Sequence, residues 1–195
     1  MNIHQLSVNY LQEHDRILVR INTTESAELR LWFTRRLTLS LAPILGKIVA
    51  EHVAKQEAIK SPYISPTATA DPATQQMLAD FKKHEHLQKS DFETPFKAEI
   101  TQLPLGAEPL LVTEVNMTPQ ASGQMQLVFS EKLPDAVRPR SFQIALEPKL
   151  THGFIHLLDK AIEVSMWREN VTVLAGNAAP DNGLHAVHEK PKYLN

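Results

Sequence analysis

The chain has no cysteine among its 195 residues. That excludes disulfides, thiol nucleophiles and thiolate zinc sites, and it suits a reducing compartment. Glycine is scarce, at 6 residues, and no P-loop, nucleophile elbow or glycine-rich dinucleotide turn is present. Charge of one sign is also lacking. A net charge near −2 gives no global electrostatic attraction to nucleic acid or to an acidic membrane. No apolar run reaches the roughly 20 residues expected of a membrane span. The first 15 residues, MNIHQLSVNYLQEHD, contain no basic stretch followed by an apolar one. The expectation is therefore a cytoplasmic protein with no signal peptide and no membrane partner.

What is present is a pattern that occurs twice. Glu28–Glu51 reads ELRLWFTRRLTLSLAPILGKIVAE, and Ser141–Val164 reads SFQIALEPKLTHGFIHLLDKAIEV. Without a gap, Leu29, Leu31 and Phe33 fall on Phe142, Ile144 and Leu146. Leu37, Leu41, Ile44, Leu45 and Ile48 fall on Leu150, Phe154, Leu157, Leu158 and Ala161. The first set alternates as in a strand, and the second has the spacing of a helix face. Each copy therefore reads as a strand running directly into a helix. Thr34 is a suitable cap for the first helix, and Glu147–Pro148 opens the second. Pro43 should kink or break the first helix. A rival reading extends the strand through Leu37, Leu39 and Leu41.

Alternation elsewhere completes two β-β-β-α units. Residues 3–10 place Leu6, Val8 and Tyr10 on one face, and Ile17, Val19 and Ile21 alternate in the next strand. The second unit has strands over 110–117, 124–129 and 141–146, then a helix over 148–168. The expected fold is α+β: two pseudo-symmetric units, 1–60 and 110–168, forming antiparallel sheet packed by helices in one compact domain, the alternative being two separately folded halves. Between them lies a proline-rich linker, 61–109, with an extra helix over 73–89 that places Met77, Leu78, Phe81 and Gln88 on one side. Residues 169–195 are polar and read as a loose tail, and its His185 and His188 lack a fixed frame for a metal.

The two helices differ on the side away from their apolar stripes. In the second, that side is His152, His156, Asp159 and Glu163. Two histidines at i, i+4 can share a zinc ion. With no HExxH motif and no third histidine placed, a solvated polar face is the reading, and no metal or cofactor is expected. In the first helix the matching positions are Leu39, Pro43, Gly46 and Ala50. A helix apolar nearly all round needs a second cover, supplied by the 73–89 helix, the tail or another subunit. This points to a non-catalytic protein-binding or scaffolding protein, or a homodimer, using that face. The competing reading is a single-stranded nucleic-acid-binding regulator. Arg20, Arg30 and Trp32 share the outward sheet face, with Arg35 and Arg36 just beyond, and a ring among arginines can stack bases and hold phosphates. The matching positions of the second unit, Val128, Gln143 and Ala145, are neither basic nor aromatic. Antiparallel strands followed by a helix, used twice, is similar in outline to single-strand nucleic-acid-binding regulators of the Whirly kind, whose units have a fourth strand. Glu25 and Glu28 read as loop charges, and no side chains form a catalytic constellation.

Overall fold

Inward-facing β-branched and aromatic residues build the first sheet. In the computed structural model, which describes residues 3–60, 71–96, 102–134 and 139–169, Ile17, Val19, Ile21, Leu29, Leu31 and Phe33 are all essentially buried. They lie on β2 (Arg16–Thr23) and β3 (Glu28–Thr34), which pair antiparallel, as β2 does with β1 (Ile3–Leu11). The Thr34 hydroxyl then accepts the Leu37 N–H at 3.3 Å and starts helix α1 (Arg35–Lys60). α1 runs as one helix through Pro43, so the reading that extended β3 to Leu41 does not hold. Asp71 caps α2 (Pro72–Gln88) by accepting the Thr74 N–H at 2.9 Å, with Pro72 in the first turn.

The expected strand over 110–117 is two strands. β4 (Leu110–Leu111) runs parallel to β3 and completes a four-stranded sheet in the order β1-β2-β3-β4. β5 (Glu114–Pro119) pairs antiparallel with β6 (Met125–Glu131) in a second sheet, which β7 (Arg140–Leu146) completes. The chain changes sheets at Val112, whose N–H bonds the Trp32 carbonyl, and Thr113, whose N–H bonds the Ser130 carbonyl. The final helix is α3 (Pro148–Ser165).

The fold is α+β, with two sheets and three helices among the described residues. The helices cross over. α3 lies against β1 of the first sheet, and α1 lies against β5 of the second. Phe33 of β3 meets Phe129 of β6 at 5.8 Å between ring centroids and Phe154 of α3 at 6.4 Å. Buried residues from both sheets, α1 and α3 form one cluster around these rings. Nearly all of the expected linker residues before α2 and of the expected tail lie outside the described residues.

Candidate functional site

The buried face of α1 follows from its spacing: Thr38, Leu41, Leu45, Val49, Ala50 and Ala54 point inward. The four residues expected on a second covered face divide. Ala50 is buried, Leu39 and Gly46 are half-buried, and Pro43 is exposed. Gly46 makes no tight contact, since a Cβ built there would meet nothing within 4 Å among the described residues. Ile44, beside Pro43, is 51% exposed. α2 does cover part of α1, and Lys82, 3.8 Å from Glu57, places it beside the C-terminal half of α1. The strip from Leu39 to Ile44 lies on the other half.

α2 also packs on α3, so His152 is not solvated as expected, whereas Glu163 is exposed and His156 and Asp159 are partly so. His152 is 3% exposed, and its ring lies 4.9 Å from that of His86 on α2. Burial, with His86 and Lys83 adding to it, pushes the His152 imidazole down to about 4. Burial also lowers His86, whose Nδ1 is enclosed without a hydrogen-bond partner among the described residues. His156 faces elsewhere, with Phe92 at 5.5 Å. No group of three or more metal-ligating side chains converges among the described residues. The inward side of α2 also differs from expectation. Ala79 is buried, while Met77 and Phe81 are each 66% exposed. The apolar pattern of α2 is weak, so its orientation is set by the partners it docks on.

The outward face of the first sheet holds its arginines in internal pairs. Glu28, expected as a loop charge, has a side chain with no exposure and accepts from Arg20 through both oxygens, at 3.1 and 2.7 Å, and from Arg30. Burial pushes the Glu28 carboxyl up, but the two guanidinium hydrogen bonds outweigh it and hold it below the ordinary range. The Phe96 ring lies 4.4 Å from the Arg20 guanidinium carbon. Arg35 donates to the Trp167 carbonyl at 2.9 Å, and Arg36 is exposed. Trp32 is half-buried, with the His14 ring at 5.2 Å. Of the five residues expected to form a nucleic-acid face, three are thus engaged within the fold.

Two anchoring residues were not singled out in the sequence. Trp167, just past α3, is buried and donates its indole N–H to Asp15 at 2.7 Å. The Tyr10 hydroxyl donates to the same carboxylate oxygen at 3.0 Å, and its ring meets Trp167 edge-on at 5.4 Å. Asp15 stands in the left-handed region at φ 45°, where a short polar side chain is favoured. The signal was a tryptophan directly after the periodic helix, but its partner 152 positions away could not be read locally. A groove of 420 Å³ also runs between β1, the segment Ser90–Phe96 and α3. Comparison of the chain with protein-family models, with curated proteins and with solved structures finds no match.

Proposed function

We propose that the chain is a non-catalytic binding or scaffolding protein that works through contact with another protein or with a second copy of itself, using the exposed strip of α1. The observation that carries this reading is Ile44, half exposed beside the exposed Pro43, on a helix long and apolar enough to cross a bilayer, with about a third of its apolar 18-residue stretch buried. Apolar strips left on a surface are characteristic of contact sites. Arg36, Ser40 and Lys47 are exposed on neighbouring turns. A strip edged by polar and charged groups suits a protein interface with a polar rim rather than a lipid interior.

The test compares wild type with Ile44→Asp in two measurements: mass by light scattering over a concentration series, and capture of proteins from the native cell. The reading expects self-association or a captured partner in the wild type, lost in the variant while its melting curve is unchanged. A wild type that stays at 21.9 kDa and captures the same proteins as the variant would end it.

The second reading, single-stranded nucleic acid on the outward face of the first sheet, is favoured by two features. Trp32 remains partly open for stacking, and Arg36 is free to reach solvent. The engagement of Arg20 and Arg30 by Glu28 weighs against it, because a phosphate would have to compete with a buried carboxylate.

A further inference from the structure

α2 is held lightly for a helix of 17 residues. Ala79 is its one buried residue, and its larger apolar side chains, Met77 and Phe81, face solvent. Its ion pairs to the neighbouring helices, Lys82 to Glu57 at 3.8 Å and Lys83 to Asp159 at 3.7 Å, are long and partly exposed, the class that contributes little. Within its contact with α3, the His86 ring of α2 lies on the buried His152 ring, tilted by 44°. Two neutral rings meet there without charge repulsion. Two imidazolium ions could not, since each would lose hydration and repel the other.

The surroundings relieve that repulsion only in part: Glu85 favours a charged His86, while nothing acting on His152 favours its charged form. From α2 itself, Lys83 acts on His152, and Lys82, Lys89 and Glu85 act on His86. Glu85 is already paired with Lys82 and Lys89. From α1, Lys60 adds positive charge near His86 but is paired with Glu57, which also faces Lys82. From α3, Lys160 and Asp159 act on His156, which faces elsewhere, and Asp159 is paired with Lys83 and Arg168. The charges that act on His152 thus all oppose its protonation while α2 is docked.

We propose that α2 is an acid-released cover: protonation of the His86–His152 pair detaches it from α1 and α3 and uncovers the faces of those helices that it masks at neutral pH. This holds whether or not the Leu39–Ile44 strip binds protein, because α2 covers the opposite half of α1. The sign follows from linkage. Both histidines are lowered in the docked state, so docking is fully favoured above 6.5 and weakens as pH falls from there toward the docked values. With His152 at 6.5 when released and about 4 when docked, release rises roughly twenty-fold between pH 7 and pH 5. Ordinary carboxylates remain mostly ionised over that interval, so the ion pairs do not produce the effect.

Hydrogen–deuterium exchange of the full chain tests this at pH 7 and pH 5, with labelling times corrected for intrinsic exchange. Opening of Pro72–Gln88 should rise about twenty-fold or more at pH 5, while β2 and β3 stay protected. His152→Gln should reduce the rise to a few-fold, His86→Gln should reduce it by less because burial alone still lowers His152, and His84→Gln, on the exposed side of α2, should retain it. Unchanged α2 protection at pH 5, or an equal loss in wild type and both pair variants, would overturn the proposal. So would an NMR titration of wild-type His152 with a midpoint at or above 6, whatever the variants do.

Discussion

Glu28 is the most constrained charge in the fold, and Glu28→Gln tests how much the clamp contributes. Glutamine keeps the shape and can still accept from one arginine, but Arg20 and Arg30 are left without a counter-charge. Removing one partner of a fully buried ion pair costs about 3–5 kcal/mol. Here the two guanidinium side chains are 26% and 30% exposed, so water takes over part of the lost interaction and about 2 kcal/mol is expected. For a chain of this length that is a fall in Tm of about 4–8 °C. The pH dependence gives a second reading of the same quantity. The Glu28 carboxyl lies below 4.5 when folded, so its contribution is complete above that value and is lost as pH falls through the folded one. The gap between wild type and variant, measured by urea denaturation, should be full at pH 7 and should narrow toward pH 3. A gap under about 0.5 kcal/mol at pH 7, the size of an ordinary surface substitution, or one that does not narrow in acid, would refute the reasoning. The variant also frees two arginines beside Trp32. If that face binds single-stranded nucleic acid, Glu28→Gln should bind an oligonucleotide more tightly and with steeper salt dependence, and Trp32→Ala should weaken it.

Gly46→Ala should stabilise by about 0.5–1 kcal/mol, because alanine is the better helix former and its methyl group meets open space; chemical denaturation measures this, and a destabilised variant would mean that the position is enclosed. Asp15→Ala should destabilise by about 1–3 kcal/mol, since it leaves the Tyr10 hydroxyl and the Trp167 indole without their shared acceptor; in a Trp32→Phe background the Trp167 emission should shift to the red, and an unmoved spectrum would show that Trp167 is held by packing alone.

The strands were legible because their alternation is a property of the chain itself. Ile17, Val19 and Ile21, like Leu29, Leu31 and Phe33, can bury only one face, and the three-stranded order followed from short turns. β4 was not legible. It is two residues long, and its parallel pairing with β3 joins Leu31 to Leu110 across nearly 80 positions, with no local signal. The helix layer failed for a related reason. The sequence rightly shows His152 opposite Phe154 and Leu158, but whether that side meets water depends on where α2 docks. The apolar residues of α2 would have placed Met77 and Phe81 inward, yet the interface selected Ala79 and His86. Glu28 read as a loop charge because it follows a turn, while its partners Arg20 and Arg30 were assigned to a ligand. A buried counter-charge is visible only once the register of β2 on β3 sets Arg20 opposite Arg30.

Two of the buried titratable groups, Glu28 and His152, impose opposite demands, and this orders the response of the fold to acid. Glu28 stabilises the first sheet when charged, and His152 permits the helix layer when neutral. As pH falls below 6.5 the histidine pair begins to bind protons more readily in the released state than in the docked one. The Glu28 clamp is still complete there, because its carboxyl titrates below 4.5. Packing follows the same division. The sheet residues around Phe33 and Phe129 are buried from both sides, whereas α2 contributes a single buried alanine. Electrostatics and packing thus bring a little-buried helix and the proposed proton-sensitive contact to the same surface, the one between α2 and α3. Acid should therefore loosen the cover before it reaches the sheet, leaving an interval of pH in which the strands remain intact and the helix faces beneath α2 are open.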